Sequence, residues 1–309
     1  MYEIERWIMW IKQAKFFMLP ENAMPDSEML SQALSEHAFQ AVSGLALFSE
    51  GFANAVSFAD DFVFSTQNSD KISLKKEERI LPSAAVNDLL AERINDIQAK
   101  TARTVGRKEK QRIKEELVNE LLPKTLTKSS RTHLFFVPKH GLLLVDTANA
   151  NKAENAVSRL REALGDLPAV LPNTVKSPAA LMTDWLLSGE CVGSFDLDDS
   201  CEMKSLADET GTTVRIAKAD LTSNEVQQHA KTGKTVTQLG LTWQDKIAFV
   251  LGDDLSLKRI RFLDIVQEEA ENDSDDLPAL TAATQLLATE TLANMIDELI
   301  GHLGGVSKE

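Results

Sequence analysis

Cysteine, tyrosine and long apolar runs are scarce in this sequence. Among 309 residues there are two cysteines and one tyrosine. The cysteines, Cys191 and Cys201, are too few for the disulfide scaffold of a chain of this size, and neither has a histidine or second cysteine at metal-ligand spacing. The sequence therefore predicts two reduced thiols with a structural role.

Segments that could enter or cross a membrane are also missing. The longest apolar stretches, such as 134–138 and 142–145, are far shorter than the roughly 20 residues that a transmembrane helix needs. The first twelve residues mix acidic and basic side chains with apolar ones and lack the layout of a secretory signal. We expect a cytoplasmic protein with no membrane partner.

A surplus of positive charge is missing as well, since the formal net charge is −14. Such a charge ordinarily opposes binding to a polyanion, because long-range repulsion slows the encounter. The charges are unevenly distributed, however. Residues 100–139 hold eleven Lys or Arg against four Glu, whereas residues 264–309 hold eleven Asp or Glu against a single lysine. The segment 100–139, hereafter the basic segment, is the candidate for contact with an anionic partner.

The basic segment overlaps a predicted pair of helices. Apolar residues recur mostly every three or four positions from Val86 to Val105, and again from Ile113 to Leu121. The pattern breaks near Gly106, and Pro123 ends the second helix because proline has no backbone N–H to donate. We expect an exposed helical projection that carries many of these cations.

The rest of the chain alternates predicted strands and helices, which indicates an α+β fold. Strands are predicted at 132–138, 142–146, 212–217, 234–243, 246–251 and 258–262, the first two joined by a hairpin turn. Helices are predicted at 151–164, at 178–188, from a capping box at Thr222 to Lys231, and from Pro278 to Leu303, with an acidic linker at 268–276.

Two motifs that suggest ligand binding fail on inspection. Residues 232–235 end like a phosphate-binding P-loop, but Gln228 stands where its first glycine should be. The segment also leaves a helix and enters a strand, so its amides would not converge on a phosphate. The triplet Asp196, Asp198 and Asp199 lacks the glycine and the closing glutamate of an EF-hand, and we interpret it as a solvated turn.

A third acidic motif leaves a catalytic alternative open. Asp253 and Asp254 follow Gly252 between two predicted strands, where a hairpin turn explains them. Paired carboxylates could also hold Mg²⁺ for phosphodiester chemistry, which makes a nuclease the alternative. The histidines at 37, 133, 140, 229 and 302 are scattered and show no local nucleophile signature.

Several long stretches resemble the RdgC family of recombination-associated proteins. They are EERILPSAAVNDLLAERI at 77–94, LLPK at 121–124, GLLLVDTANANKAENAVSRLREALGDLPAV at 141–170, MTDWLLSGE at 182–190, and 220–264 with its GK-VT, tryptophan-strand and DD-SLKR patterns. The resemblance extends over roughly residues 9 to 305 and is thin from about 20 to 70. Family members typically begin near the position of Met9, so residues 1–8 are expected to be an extension.

The resemblance implies a horseshoe-shaped monomer that pairs twice with its two-fold mate and closes a ring around duplex DNA. The pairing would use the helical tips and the opposite base. It implies a central domain from 1–75 and 132–175, a helical tip at 76–131 and a base domain at 176–309. It further implies competition with the RecA recombinase for DNA in the nucleoid, with no reaction catalysed and no cofactor or metal.

Lysines and arginines are the natural contacts to DNA phosphates. The candidates are Arg103, Arg107, Lys108, Lys110, Lys114, Lys124 and Lys128 near the tip, with Arg215 and Lys218 downstream. Lys124 and Lys218 lie in segments that resemble the family's DNA-facing regions. Where relatives carry an aromatic residue after the position of Lys128, this chain has Ser129, which removes any stacking and predicts weaker binding.

A non-enzymatic alternative is a protein-interaction module. In this hypothesis the acidic C-terminal region mimics DNA and contacts a recombinase directly, and the protein itself never grips DNA. Salt-sensitive DNA binding by the isolated protein would count against it.

Overall fold

The computed structural model describes residues 10–20, 23–205, 211–272 and 276–307. Within them, eight helices are α1 (Ser27–Glu36), α2 (Ser83–Thr101), α3 (Arg107–Leu121), α4 (Ala150–Leu164), α5 (Pro178–Ser188), α6 (Asn224–Lys231), α7 (Asp264–Asn272) and α8 (Leu277–His302). The strands are β1 (Lys15–Met18), β2 (Phe48–Ala53), β3 (Val63–Ser65), β4 (Asp70–Arg79), β5 (Thr127–Val137), β6 (Leu142–Val145), β7 (Phe195–Ser205), β8 (Thr213–Ala217), β9 (Lys234–Trp243), β10 (Ile247–Gly252) and β11 (Leu257–Phe262).

The strands form two antiparallel sheets, so the predicted α+β class is confirmed. The first, hereafter the N-terminal sheet, has the order β1-β6-β5-β4-β2, and β3 also pairs with β4. The second, hereafter the C-terminal sheet, has the order β11-β10-β9-β7-β8. Because side chains alternate along a strand, each sheet presents two faces that can be covered differently.

One face of the N-terminal sheet is covered by α1 and α4. Helix α4 buries Ala153, Ala156, Val157 and Leu160, at the spacing that places side chains on one side of a helix. They join one apolar cluster with residues of β4, β5 and β6, such as Phe136. Burial on this face holds the register of the sheet, since a slip by one residue would turn every apolar side chain outward.

The opposite face is covered at one end by α8, which is itself an internal helix. Leu292 and Ile296 of α8 share a cluster with Phe135 of β5 and with the core of the C-terminal sheet. The amide Nε2 of Gln285 also donates to the backbone oxygen of Ser69, at 3.1 Å. Helix α8 thus packs against both sheets at once.

Most elements lie where the sequence predicts them, and three predictions are wrong. The capping box fails because Ser223 is the N-cap of α6, and the Thr222 hydroxyl donates instead to Asp220 at 2.6 Å. The acidic triplet lies in β7, where the pairing with β9 is irregular between Leu197 and Cys201, and not in a turn. The linker at 268–276 is helical through Asn272 as part of α7, and 273–275 lie outside the described residues.

Other features of the described chain bear on the remaining predictions. Both cysteines are free, and burial raises the pKa of Cys191 to about 12 and that of Cys201 to about 11. No helix in the described ranges is both long and apolar enough to cross a bilayer. The domain boundaries stay a prediction, and the extension at 1–8 lies outside the described residues.

An ion pair between a buried lysine and a half-exposed aspartate joins the two sheets. Lys15 of β1 is only 4% exposed, and its ammonium lies 2.8 Å from the Asp254 carboxylate in the β10–β11 turn. Asp254 also accepts hydrogen bonds from the hydroxyl and the amide of Ser256. Burial opposes ionisation, but these hydrogen bonds outweigh it and lower the pKa of Asp254 to about 2. The carboxylate therefore has a structural role.

We predict that Asp254→Ala destabilises the protein by about 3 kcal/mol, because it leaves Lys15 buried without its counter-charge. Urea unfolding at neutral pH measures the loss. The neighbouring Asp253→Ala is the control and should change stability by less than about 0.5 kcal/mol, since its carboxylate forms no ion pair or hydrogen bond with any described residue. The folded pKa lies below the ordinary value of 3.8, so the pair's contribution should be complete above about pH 4 and lost toward pH 2. Equal losses in both variants would contradict the assignment.

Candidate nucleic-acid interface

The first half of the basic segment lies on a helical hairpin made by α2 and α3. Val86 and Leu90 of α2 pack against Ile113 and Leu117 of α3 in a small apolar cluster of their own. Between the helices, Arg93 donates to Glu120 at 3.0 Å. The predicted helical projection is therefore present, held by a narrow apolar seam.

At the tip of the hairpin, an ion pair joins the turn after α2 to the first turn of α3. Ala102 ends α2 in the left-handed region, with φ 50°, and its N–H donates to Gln98. The Arg103 guanidinium then donates twice to the Glu109 carboxylate, at 2.6 and 2.7 Å. Such bidentate pairs fix geometry as well as charge. Arg103, predicted as a DNA contact, is thus already paired within the tip.

At its other end the hairpin is fastened to the N-terminal sheet. Arg79, the last residue of β4, donates from Nη1 to the Leu122 oxygen at 2.5 Å and from Nε to the Ala46 oxygen at 3.2 Å. The Ile80 amide donates to the Leu126 oxygen at 2.9 Å. These bonds define how the hairpin leaves the sheet, a role for Arg79 that the sequence did not suggest.

Four of the predicted DNA contacts are cations of α3. Arg107, Lys108 and Lys110 are exposed and Lys114 is partly buried, and none forms an ion pair with any residue that the structure describes. The first three stand in the opening turn of the helix, where the backbone dipole already makes the potential positive. This arrangement opposes helix stability and favours an external anion.

Lys124 and Lys128 lie near the junction of hairpin and sheet. Lys124 is exposed, with its Nζ 3.6 Å from Glu120. Lys128 is exposed in β5 and stands opposite Glu78 in the register of β4. Ser129 is exposed too, so its short side chain faces water.

Arg215 and Lys218 lie on the other sheet. Arg215 belongs to the edge strand β8, and its Nε donates to Glu202 at 2.8 Å. Lys218 follows β8, is exposed, and adopts a left-handed backbone with φ 56°. The nine predicted contacts thus lie on three parts of the fold: the hairpin, its junction with the N-terminal sheet, and the C-terminal sheet. Two of the nine, Arg103 and Arg215, are closely paired with carboxylates.

The fold assembles a further group of cations that sequence reasoning missed. They lie on or around the open half of the N-terminal sheet's second face. Four of them act electrostatically on Asp146 or His133, and the fifth, Lys75, stands opposite Arg131 in the strand register. This group, hereafter the sheet patch, comprises Lys12, Lys71, Lys75, Arg131 and Lys152. Its members are widely separated in sequence, and only the strand register reveals them as one surface.

The acidic residues considered for metal chemistry are committed elsewhere or dispersed. Asp254 is held by Lys15 and Ser256, as the hairpin-turn interpretation allows. Asp198 lies 3.8 Å from Arg261. Across the described ranges, no three His, Cys, Asp or Glu side chains form a group that could hold a metal ion.

Comparison with known proteins finds similarity along almost the whole chain. A family model described as "Putative exonuclease, RdgC" matches residues 9–306. The recombination-associated protein RdgC of Neisseria meningitidis serogroup C (strain FAM18) is 48% identical over 297 residues, covering 96% of this chain and 99% of the relative.

Two further relatives extend the comparison to other bacteria. The recombination-associated protein RdgC of Laribacter hongkongensis is 45% identical over 298 residues, covering 96% of this chain and 99% of the relative. That of Pseudomonas aeruginosa is 41% identical over 302 residues, covering 96% and 98%. The curated names mention recombination and no enzymatic activity, whereas the family description mentions an exonuclease.

We predict that Leu90→Ala loosens the hairpin, because it opens a cavity in the narrow seam at a cost of about 2–3 kcal/mol. Amide hydrogen exchange should accelerate across 83–121 and remain unchanged in the sheets. The neighbouring Leu89→Ala is the matched control, since Leu89 is 40% exposed and lies outside the seam. Exchange that accelerates equally in both variants would contradict this account.

Proposed function

We propose, from the premise that this chain belongs to the RdgC family of recombination-associated proteins, that it binds duplex DNA without sequence preference and catalyses no reaction. Two copies of a horseshoe-shaped monomer close a ring around the duplex. By occupying DNA in the nucleoid, the ring limits RecA-type recombination.

The observation that carries this proposal is the set of cations at the start of α3 that form no ion pair within the described part of the chain. Arg107, Lys108 and Lys110 are exposed on a projecting hairpin, in a chain whose net charge is −14. Phosphates that approach them would release condensed counterions, which supplies affinity without reading any base. In a two-fold dimer every such contact occurs twice.

The acidic total does not prevent this binding if the cations line the hole of the ring. At physiological salt, charges are screened over about 8 Å. Phosphates in the hole then meet the nearby cations more strongly than acidic groups on the outer surface. The same outer charge would keep the ring soluble.

The absence of a reaction is part of the proposal, although the family description mentions an exonuclease. Phosphodiester cleavage at Asp253 and Asp254 would need carboxylates free to bind a cation. Asp254 is already bound by an almost fully buried lysine and by Ser256. This commitment favours a structural role for the turn.

We predict that duplex binding weakens steeply with salt. The logarithm of affinity should fall linearly with the logarithm of salt concentration, with the same slope on unrelated sequences, because each neutralised phosphate releases counterions. Fluorescence anisotropy on linear duplexes and gel shifts on closed circular DNA measure it, and light scattering coupled to size exclusion gives the mass.

The same preparations contain the controls. A dimer with sequence-independent, salt-steep binding supports the proposal. A protein that binds neither DNA form at low salt overturns it and favours direct contact with the recombinase. Incubation with Mg²⁺ or Mn²⁺ should leave the DNA intact. Cleavage that disappears in an Asp253→Ala, Asp254→Ala variant would instead identify a nuclease.

We predict that reversing charge with Lys124→Glu and Lys128→Glu together weakens binding to all duplexes alike. The salt slope should fall by up to about four, since two contacts occur twice in the dimer. Lys176→Glu with Lys246→Glu is the control, because both side chains are exposed, both lie outside the basic segment, and the net charge changes equally. A loss confined to particular sequences, or an equal loss in the control, would contradict the ring.

A further inference from the structure

The second face of the N-terminal sheet is only half covered. Near α8 it is apolar, since Phe16, Leu144 and Phe135 follow one another across β1, β6 and β5. One step along the strands the face turns polar, with Ser73 opposite His133. The next step places Lys75 opposite Arg131, and this open half carries the sheet patch.

Lys71 is the member of the sheet patch whose charge an added anion would stabilise most. It lines a small cavity at the edge of α8 together with Phe135 and Gln285, and its ammonium lies 6.0 Å from the Phe135 ring. In the described part of the chain it forms no ion pair within 4.0 Å. Burial lowers the pKa of Lys71 to about 8, more than the attraction of Asp146 restores. Lys71 is thus a partly buried charge that lacks a close counter-charge among the described residues.

Arg131 lies on the same face of the sheet, opposite Lys75, and its guanidinium reaches toward Ser73 between the two lysines. Its Nη1 donates to the Asn54 oxygen at 2.8 Å, which holds the planar group while the side chain stays exposed. The other guanidinium nitrogens have no partner among the described residues. A fixed guanidinium loses little entropy when it binds a phosphate through two parallel hydrogen bonds.

The local charge balance also favours an added anion. Burial raises the pKa of Asp146 to about 6, and Asp146 is the carboxylate whose attraction partly restores the pKa of Lys71. Burial and the cations Lys71, Arg131 and Lys152 lower the pKa of His133 to about 3, so its imidazole is neutral. At neutral pH the positive charges of Lys71 and Arg131 therefore exceed the negative charge of Asp146.

We infer that the sheet patch is a seat for a phosphate of bound duplex DNA, in which Lys71 and Arg131 contact the phosphate oxygens. This inference rests on the proposed DNA binding and places a contact outside the hairpin. Inorganic phosphate shares the chemistry and should occupy the same seat weakly.

Lys71→Met in the full-length protein tests the seat. If one phosphate per protomer is lost, duplex affinity at about 0.1 M salt should drop about tenfold and the salt slope should fall by about two for the dimer. Arg131→Met should act similarly, and Asp146→Asn should tighten binding. Lys176→Met is the matched control, because it removes one exposed charge outside the sheet patch and the basic segment.

Two measurements separate binding from a structural role. Lys71→Met should leave the urea midpoint equal or higher, because it replaces a partly buried charge with an apolar chain of similar length. In the unmodified protein, the pKa of Lys71, followed by NMR of its side-chain carbon, should rise from about 8 when inorganic phosphate or duplex is added. A charge that serves folding alone would show neither result.

The outcomes distinguish this seat from the ring. Normal DNA binding by Lys71→Met, with no effect of phosphate on the pKa of Lys71, overturns the seat and leaves DNA binding in place. A rise in that pKa with inorganic phosphate, in a protein that binds no duplex, supports an anion seat and overturns the ring. A rise with duplex and a weakened Lys71→Met supports both.

Discussion

Burial of α8 between the two sheets is the constraint on which the rest of the structure depends. The helix buries Leu292, Met295, Ile296 and Leu299 completely, so it needs apolar neighbours on several sides. The N-terminal sheet supplies them on only part of its second face, because α8 does not reach the rows that contain Arg131 and Lys75. The same packing that joins the sheets therefore leaves the polar, cationic half of this face exposed beside the apolar half that α8 covers.

The hairpin shows the opposite arrangement, since it has little core and much charge. Its seam is one narrow row of apolar side chains, and its ends are fixed by polar contacts, with Arg103 and Glu109 at the tip and Arg79 at the base. Local stability is therefore low compared with the sheets, as is usual for elements that adapt to a partner. The cations in the first turn of α3 reduce that stability further, a cost that an anionic partner would offset.

The hairpin could be predicted from the sequence because its signals are local. Apolar spacing, Gly106 and Pro123 lie within forty residues and determine two helices and a break. The partner of Asp254 could not be predicted, because Lys15 is 239 positions away and the two meet only when β1 packs beside the β10–β11 turn. The sheet patch was missed for the same reason, since only the register of β4 and β5 brings Lys71 and Arg131 to one face of the sheet. The capping box failed because Asp220 competes for the Thr222 hydroxyl.

Pairing, rather than number, determines which cations contribute to the field that a phosphate would meet. A count along the sequence treats Arg103, Arg107 and Arg215 alike, yet two of them are bound to carboxylates at 2.8 Å or less. At a distance a bound pair acts as a dipole, whose potential falls faster than that of a single charge and is screened within about 8 Å. Arg107 and Lys71 form no such pair with any residue that the structure describes. A total of −14 therefore says little about the potential over α3 or the sheet patch, where single unpaired charges dominate.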